Sequence, residues 1–121
     1  MTRNKYTAET HNKAYNIWFQ YKSGHLSLDK ATQRVVQETG MNATSAKLGH
    51  QQRDKMIKGE KYSYGQPVLE YKTIIPRMAK DFPDKIHLIR QSILAHLEFR
   101  KEHQSQNKIK EITKIVEKFL G

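Results

Sequence analysis

The sequence predicts an all-α fold, a single compact bundle of five or six helices over residues 1–121 that contains a helix-turn-helix-like unit at 27–59. Three observations predict it. Apolar side chains recur at spacings of three and four in successive segments, which is the period of one helix face. Residues that cap helices stand before those segments, at Thr7, Ser27, Asn42 or Thr44, and Asp84, and glycines that end helices follow three of them, at Gly24, Gly40 and Gly59. The connections are short, with no internal repeat or low-complexity tract.

Each element follows from its own residues. Thr7 caps a first helix whose Ala14, Tyr15, Trp18 and Tyr21 form one apolar stripe that stops near Ser23 and Gly24. Ser27 caps a second, with Leu28, Ala31, Val35 and Val36 on one face until Gly40 supplies a left-handed stop. A third begins at Asn42 or Thr44, carries Ala43, Ala46, Met56 and Ile57, and ends near Gly59. Its middle, residues 49–55, is almost wholly polar, which predicts a largely exposed helix. Lys61 to Pro67 reads as a loop. In the next segment Val68, Tyr71, Ile75, Met78 and Phe82 make a helical stripe, although the β-branched residues also suit a short strand; helix is preferred, with Pro76 kinking it or opening a second piece. Asp84 then caps a long helix to about His103, with Ile86, Ile89, Ile93 and Leu97 inward. The C-terminal helix, 107–120, places Ile109, Ile112, Val116 and Phe119 at coiled-coil-like positions, a stripe that needs either the domain's own core or another chain.

Composition narrows the function classes. With no cysteine there is no disulfide framework, thiolate metal site or cysteine nucleophile. The stretch from Met1 to Lys13 has no apolar leader, and no apolar run reaches the ~20 residues of a spanning helix, so the expectation is a soluble, cytoplasmic protein without a membrane partner. A net charge of +10, from 22 Lys and Arg against 12 Asp and Glu, attracts polyanions whatever their sequence, which makes nucleic acid, double-stranded DNA first, the expected partner.

Candidate site residues come from two stretches. Val35, Val36, Gly40 and Ala46 meet much of the helix-turn-helix spacing, although Gly49 stands where a larger apolar residue is usual. On the helix after that turn, Lys47, Gln51, Gln52 and Arg53 are the groove-facing candidates, because Gln and Arg pair bidentately with adenine and guanine edges. Lys55, Lys58 and Lys61 suit phosphates. In the KYSYG loop, Tyr62 and Tyr64 beside Lys61 can stack on bases or bond phosphates, the competing reading being tyrosines that close over the core, which is favoured for at least one of the two.

Catalysis and metal binding find little. The six histidines include no pair four apart on a helix, so no zinc site is expected, and His96 is expected to pack beside Phe99. Glu70-Tyr71-Lys72 has the E-x-K form of magnesium nucleases, with Asp54 as a second carboxylate, but that chemistry needs adjoining strands. No Walker-type loop, nucleophile elbow or HExxH motif is present, and no cofactor is implied.

GMNATSA at 40–46, KMIKGEKYSYG at 55–65, KDFP at 80–83 and AHLEFR at 95–100 resemble, in that order, a helical module in the amino-terminal part of bacterial HNH-type restriction endonucleases and related proteins. The resemblance implies a bacterial or phage origin and a DNA-directed role supporting a nuclease. The HNH catalytic part is absent, and Ser63-Tyr64-Gly65 replaces the arginine and threonine common in that pattern. The expectation is therefore a non-catalytic DNA-binding domain, a recognition or accessory module of a restriction or defence system. The alternatives are a protein-interaction or dimerisation module, using the C-terminal helix and an exposed Trp18-Phe19 region, and a metal-dependent nuclease.

Overall fold

The computed structural model describes residues 6–121; residues 1–5, the start of the stretch read for a leader, lie outside them. Among the described residues the secondary structure is helical, with no strand. The helices are α1 (Ala8–Lys22), α2 (Leu28–Thr39), α3 (Ala43–Lys58), α4 (Val68–Asp81), α5 (Ile86–Phe99) and α6 (Gln106–Leu120), with a 3-10 turn at Pro83–Lys85 before α5. None of them is long and apolar enough to cross a membrane. The chain's contacts gather into two compact units, one up to Gln51 and the other Gln52–Gly121, and the division falls inside α3.

The first unit is assembled by its caps and turns. Thr7 accepts from the Thr10 amide at 3.2 Å, and Ser27 from the Lys30 amide at 3.1 Å, so each helix starts where a side-chain oxygen replaces the missing intrahelical acceptor. Gly40 stands at φ 79° and closes α2 by donating to the Val36 carbonyl at 3.0 Å. Two residues later Asn42 Oδ1 accepts from the Ser45 amide at 2.8 Å and starts α3. Ala14, Ile17, Ala31, Val35, Met41 and Ala46 form the core of this unit, with Tyr6, Tyr21, Leu26 and Val36 packed against it. Trp18 is fully buried, which corrects the exposed Trp18-Phe19 region: only Phe19, 36% exposed, reaches solvent.

In the second unit α4 packs chiefly on α6, and α5 also packs on α6. The apolar stripe of α6 buries Ile112, Ile115, Val116 and Leu120, so its coiled-coil-like pattern is covered inside this unit. α4 runs unbroken through Pro76. The proline removes one ladder donor, but Tyr71, Ile74, Ile75 and Met78 are buried on both sides of it and hold the axis together. The helix predicted from Asp84 to His103 is shorter at both ends. Asp84 lies in the 3-10 turn and does not cap α5, whose N-cap is Lys85 without a side-chain bond, and beyond Leu97 the next positions on its buried face are the charged Arg100 and Lys101, which extend no apolar stripe. Arg100 leaves helical geometry, and a turn leads to Ser105, whose hydroxyl caps α6 by accepting from the Lys108 amide at 3.1 Å.

Candidate nucleic-acid interface

The sequence candidates divide by exposure. Lys47 and Gln51 are exposed on α3 in the first unit; Lys55, Lys58, Lys61 and Tyr64 are exposed in the second. Gln52, Arg53 and Tyr62 are buried, at 6%, 3% and 1%, and this corrects both the exposed polar middle of α3 and the reading of these three as groove or base contacts. Their polarity is answered inside the protein. Arg53 Nη1 lies 3.5 Å from Glu70 Oε2, and Gln52 Oε1 accepts from Gln66 Nε2 at 3.0 Å. His50, also predicted exposed, is buried with its ring 6.3 Å from that of Tyr21.

In the first unit, Ala43, Thr44, Lys47 and Gln51 are exposed and fall within about 100° of one another around the start of α3. Ala46 and His50 are buried. The exposed side chains are two small ones, one cation and one amide, so nothing bulky keeps the helix from a groove floor.

In the second unit the loop between α3 and α4 is held as an extended strap. Its backbone leaves α3 at Gly59, φ 76°, where a Cβ would stand 2.9 Å from Leu88 Cδ2. Gln91 Nε2 donates to the Gly59 carbonyl at 3.0 Å, Ser92 Oγ to Glu60, His96 Nδ1–H to Tyr62 at 2.6 Å, Arg100 Nη1 to Ser63 at 3.3 Å, and Gln52 Nε2 to Tyr64 at 3.2 Å. Ser92, His96 and Arg100 recur every four residues and share one face of α5. Four helical residues rise about 6 Å and two extended residues span nearly 7 Å, so strap and helix run in step from Glu60 to Tyr62, and beyond it the longer Arg100 side chain reaches back to Ser63. No single residue type marks this pattern, but a polar stripe of four-residue period along an otherwise apolar helix was a readable signal.

The strap turns Tyr62 inward. Its ring stacks on His96 with centroids 4.1 Å apart, and its hydroxyl meets that of Tyr71 at 2.5 Å. Burial pushes both phenols upward, so both stay protonated and can share that hydrogen bond. His96 is buried as expected, but its partner is Tyr62 and not Phe99. The outward residues are Lys61, Ser63, Tyr64 and Gly65, with Tyr64 59% exposed and Lys61 Nζ 4.2 Å from the centroid of the exposed Phe99 ring. Basic and aromatic groups therefore alternate on this surface.

The groups read for metal chemistry lie elsewhere. Glu70 and Lys72 sit two residues apart on helix α4, about 200° around its axis, so they do not converge as the E-x-K arrangement of nucleases requires. Burial pushes the Glu70 carboxyl up, and the Arg53 charge pulls it part of the way back. Among the described residues no three His, Asp or Glu side chains are grouped so as to hold a metal ion. No family model, curated protein or solved structure matches the chain, and the functional reading rests on these residues.

Proposed function

We propose that this protein is a non-catalytic DNA-binding domain that presents the start of α3 to duplex DNA, and that it serves as a recognition or accessory module of a restriction or defence system. The observation that carries the reading is the exposed face of Ala43, Thr44, Lys47 and Gln51, placed directly after the Gly40 turn and the Asn42 cap. In a helix-turn-helix it is the first turns of the second helix that meet base edges, and small residues there permit close approach. Lys47 would meet a phosphate or guanine, and Gln51 an adenine edge. The charge of +10 supports the class of partner, because each phosphate neutralised releases counterions.

Fluorescence anisotropy on a labelled duplex across a salt series tests this. Lys47→Gln should weaken binding and flatten the slope of log affinity against log salt by about 0.9, as the loss of one phosphate contact requires. Gln51→Ala should cost about 1–3 kcal/mol on a preferred sequence and less on a random one. Binding that is absent, indifferent to salt, or unchanged in both variants would overturn the proposal. Arg53 is a poor target for this test, because it is buried against Glu70 and its loss acts on folding.

A further inference from the structure

We infer that the corner where α5 turns into α6 is a phosphate-binding site, built by Arg100 and Lys108 around the backbone of Gly65. A Cβ placed on Gly65 would stand 3.9 Å from Arg100 Nη2 and 3.9 Å from Lys108 Nζ, so the two cationic groups flank one point of the strap and are no farther apart than twice that distance. Both side chains are half-buried. Among the described residues, no ion pair joins either one to a carboxylate. Like charges held together without a counter-charge repel, and a bound dianion relieves that repulsion. Hydrogen-bonding capacity is also spare here. Arg100 Nε, a donor, is buried without a hydrogen-bond partner. Buried polar atoms are normally satisfied, and a tetrahedral oxyanion accepts from several donors at once.

The surrounding electrostatics agree. Burial and the Arg100 charge both hold the Lys108 ammonium below its usual value, while burial, Arg100 and Lys108 depress His96 against the opposing Tyr62 hydrogen bond. The charge that unsettles these groups is the charge a phosphate would neutralise. The site belongs to the second unit and does not depend on the DNA reading of α3. The phosphate can come from a nucleic-acid backbone or from a small phosphorylated ligand.

The test is an NMR titration of the full chain with inorganic phosphate, against chloride at matched ionic strength. Saturable shifts are expected at residues 63–65, 100 and 108. Lys108→Gln should remove them. Gly65→Asp should remove them as well, by placing a carboxylate between the two cations, whereas Gly65→Asn should keep them; the backbone at Gly65 is not left-handed, so both side chains fit. Shifts that never saturate, that chloride reproduces, or that survive both Lys108→Gln and Gly65→Asp would overturn the site. A salt series on duplex DNA separates the two sources. A slope flattened by about 0.9 in Lys108→Gln assigns the site to a backbone phosphate, and an unchanged slope in that variant, beside saturable phosphate shifts in the unsubstituted protein, assigns it to a small ligand.

Discussion

His96 is a base buried beside the strap. With Nδ1–H donating to the Tyr62 carbonyl and its ring stacked on the Tyr62 phenol, it pins the strap as a neutral imidazole. Its folded value lies below the ordinary 6.5, so below about pH 6.5 the unfolded chain takes up a proton that the folded chain does not. This contribution to stability is present above that pH and is lost as the pH falls through the folded value. The urea midpoint should therefore drop between pH 7.5 and 5.5, and His96→Asn, whose amide keeps a donor at the Nδ1 position, should flatten that drop. Glu70 works in the opposite sense: its raised carboxyl contributes stability below the ordinary range near 4.5, lost as the pH rises through the folded value. An acid limb that Glu70→Gln leaves unchanged would refute this account. The burial of His96 was legible in the sequence but its partner Tyr62 was not, and neither was the burial of Glu70. Gln52 and Arg53 show why: their polarity reads as exposure until Gln66 and Glu70, far along the chain, are brought to them.

At the scale of elements, caps and glycines were the most legible features, because they act through their own few residues. Thr7, Ser27, Asn42 and Gly40 all do what their types prescribe. The two left-handed glycines of α2 and α3 nevertheless differ. A Cβ at Gly40 meets nothing within 4 Å, so Gly40→Ala should cost only the left-handed backbone penalty, about 1 kcal/mol. At Gly59 the same change brings Cβ to 2.9 Å from Leu88 Cδ2 and 3.0 Å from Gln91 Nε2, so both side-chain ends must shift by a few tenths of an ångström, which loosens the Gln91 bond to the Gly59 carbonyl. Gly59→Ala should cost the same backbone penalty plus the displacement of these two side chains, about 1–2 kcal/mol in urea unfolding and more than Gly40→Ala. Equal costs at the two sites would contradict the close approach of α5 to the strap. The end of α5 was misread for a related reason. Helical propensity continues past Leu97, but the apolar stripe does not, and burial decides where a helix stops.

For the whole molecule, charge is the property that survives any detail of packing. Residues 1–51 carry seven Lys and Arg against three Asp and Glu, and residues 52–121 carry fifteen against nine, so both units are basic. If four to six phosphates are engaged, raising salt from 50 to 200 mM should weaken duplex binding by about 10²–10³-fold. A weaker dependence would mean that the +10 field is spread too thinly to act on one ligand. The α6 stripe bears on the interaction reading at this scale. Its Ile112, Ile115, Val116 and Leu120 are already buried in a unit where α4 and α5 pack on α6, which leaves, among the described residues, Phe19, Leu69, Phe99 and Tyr64 as the large apolar side chains at the surface.

The sequence by itself determined the helical class, the order of the helices, the turn at Gly40 and the sign of the charge, since each follows from interactions within a few residues or from composition alone. Which polar residues are surface and which are interior was decided only by tertiary structure. Arg53 and Gln52 are buried because distant segments supply their partners, His96 finds Tyr62 and not Phe99 because the strap is laid along α5, and Arg100 and Lys108 converge on Gly65 for the same reason. Helical periodicity reports the face a residue occupies; it carries no information about the segment that comes to rest against that face.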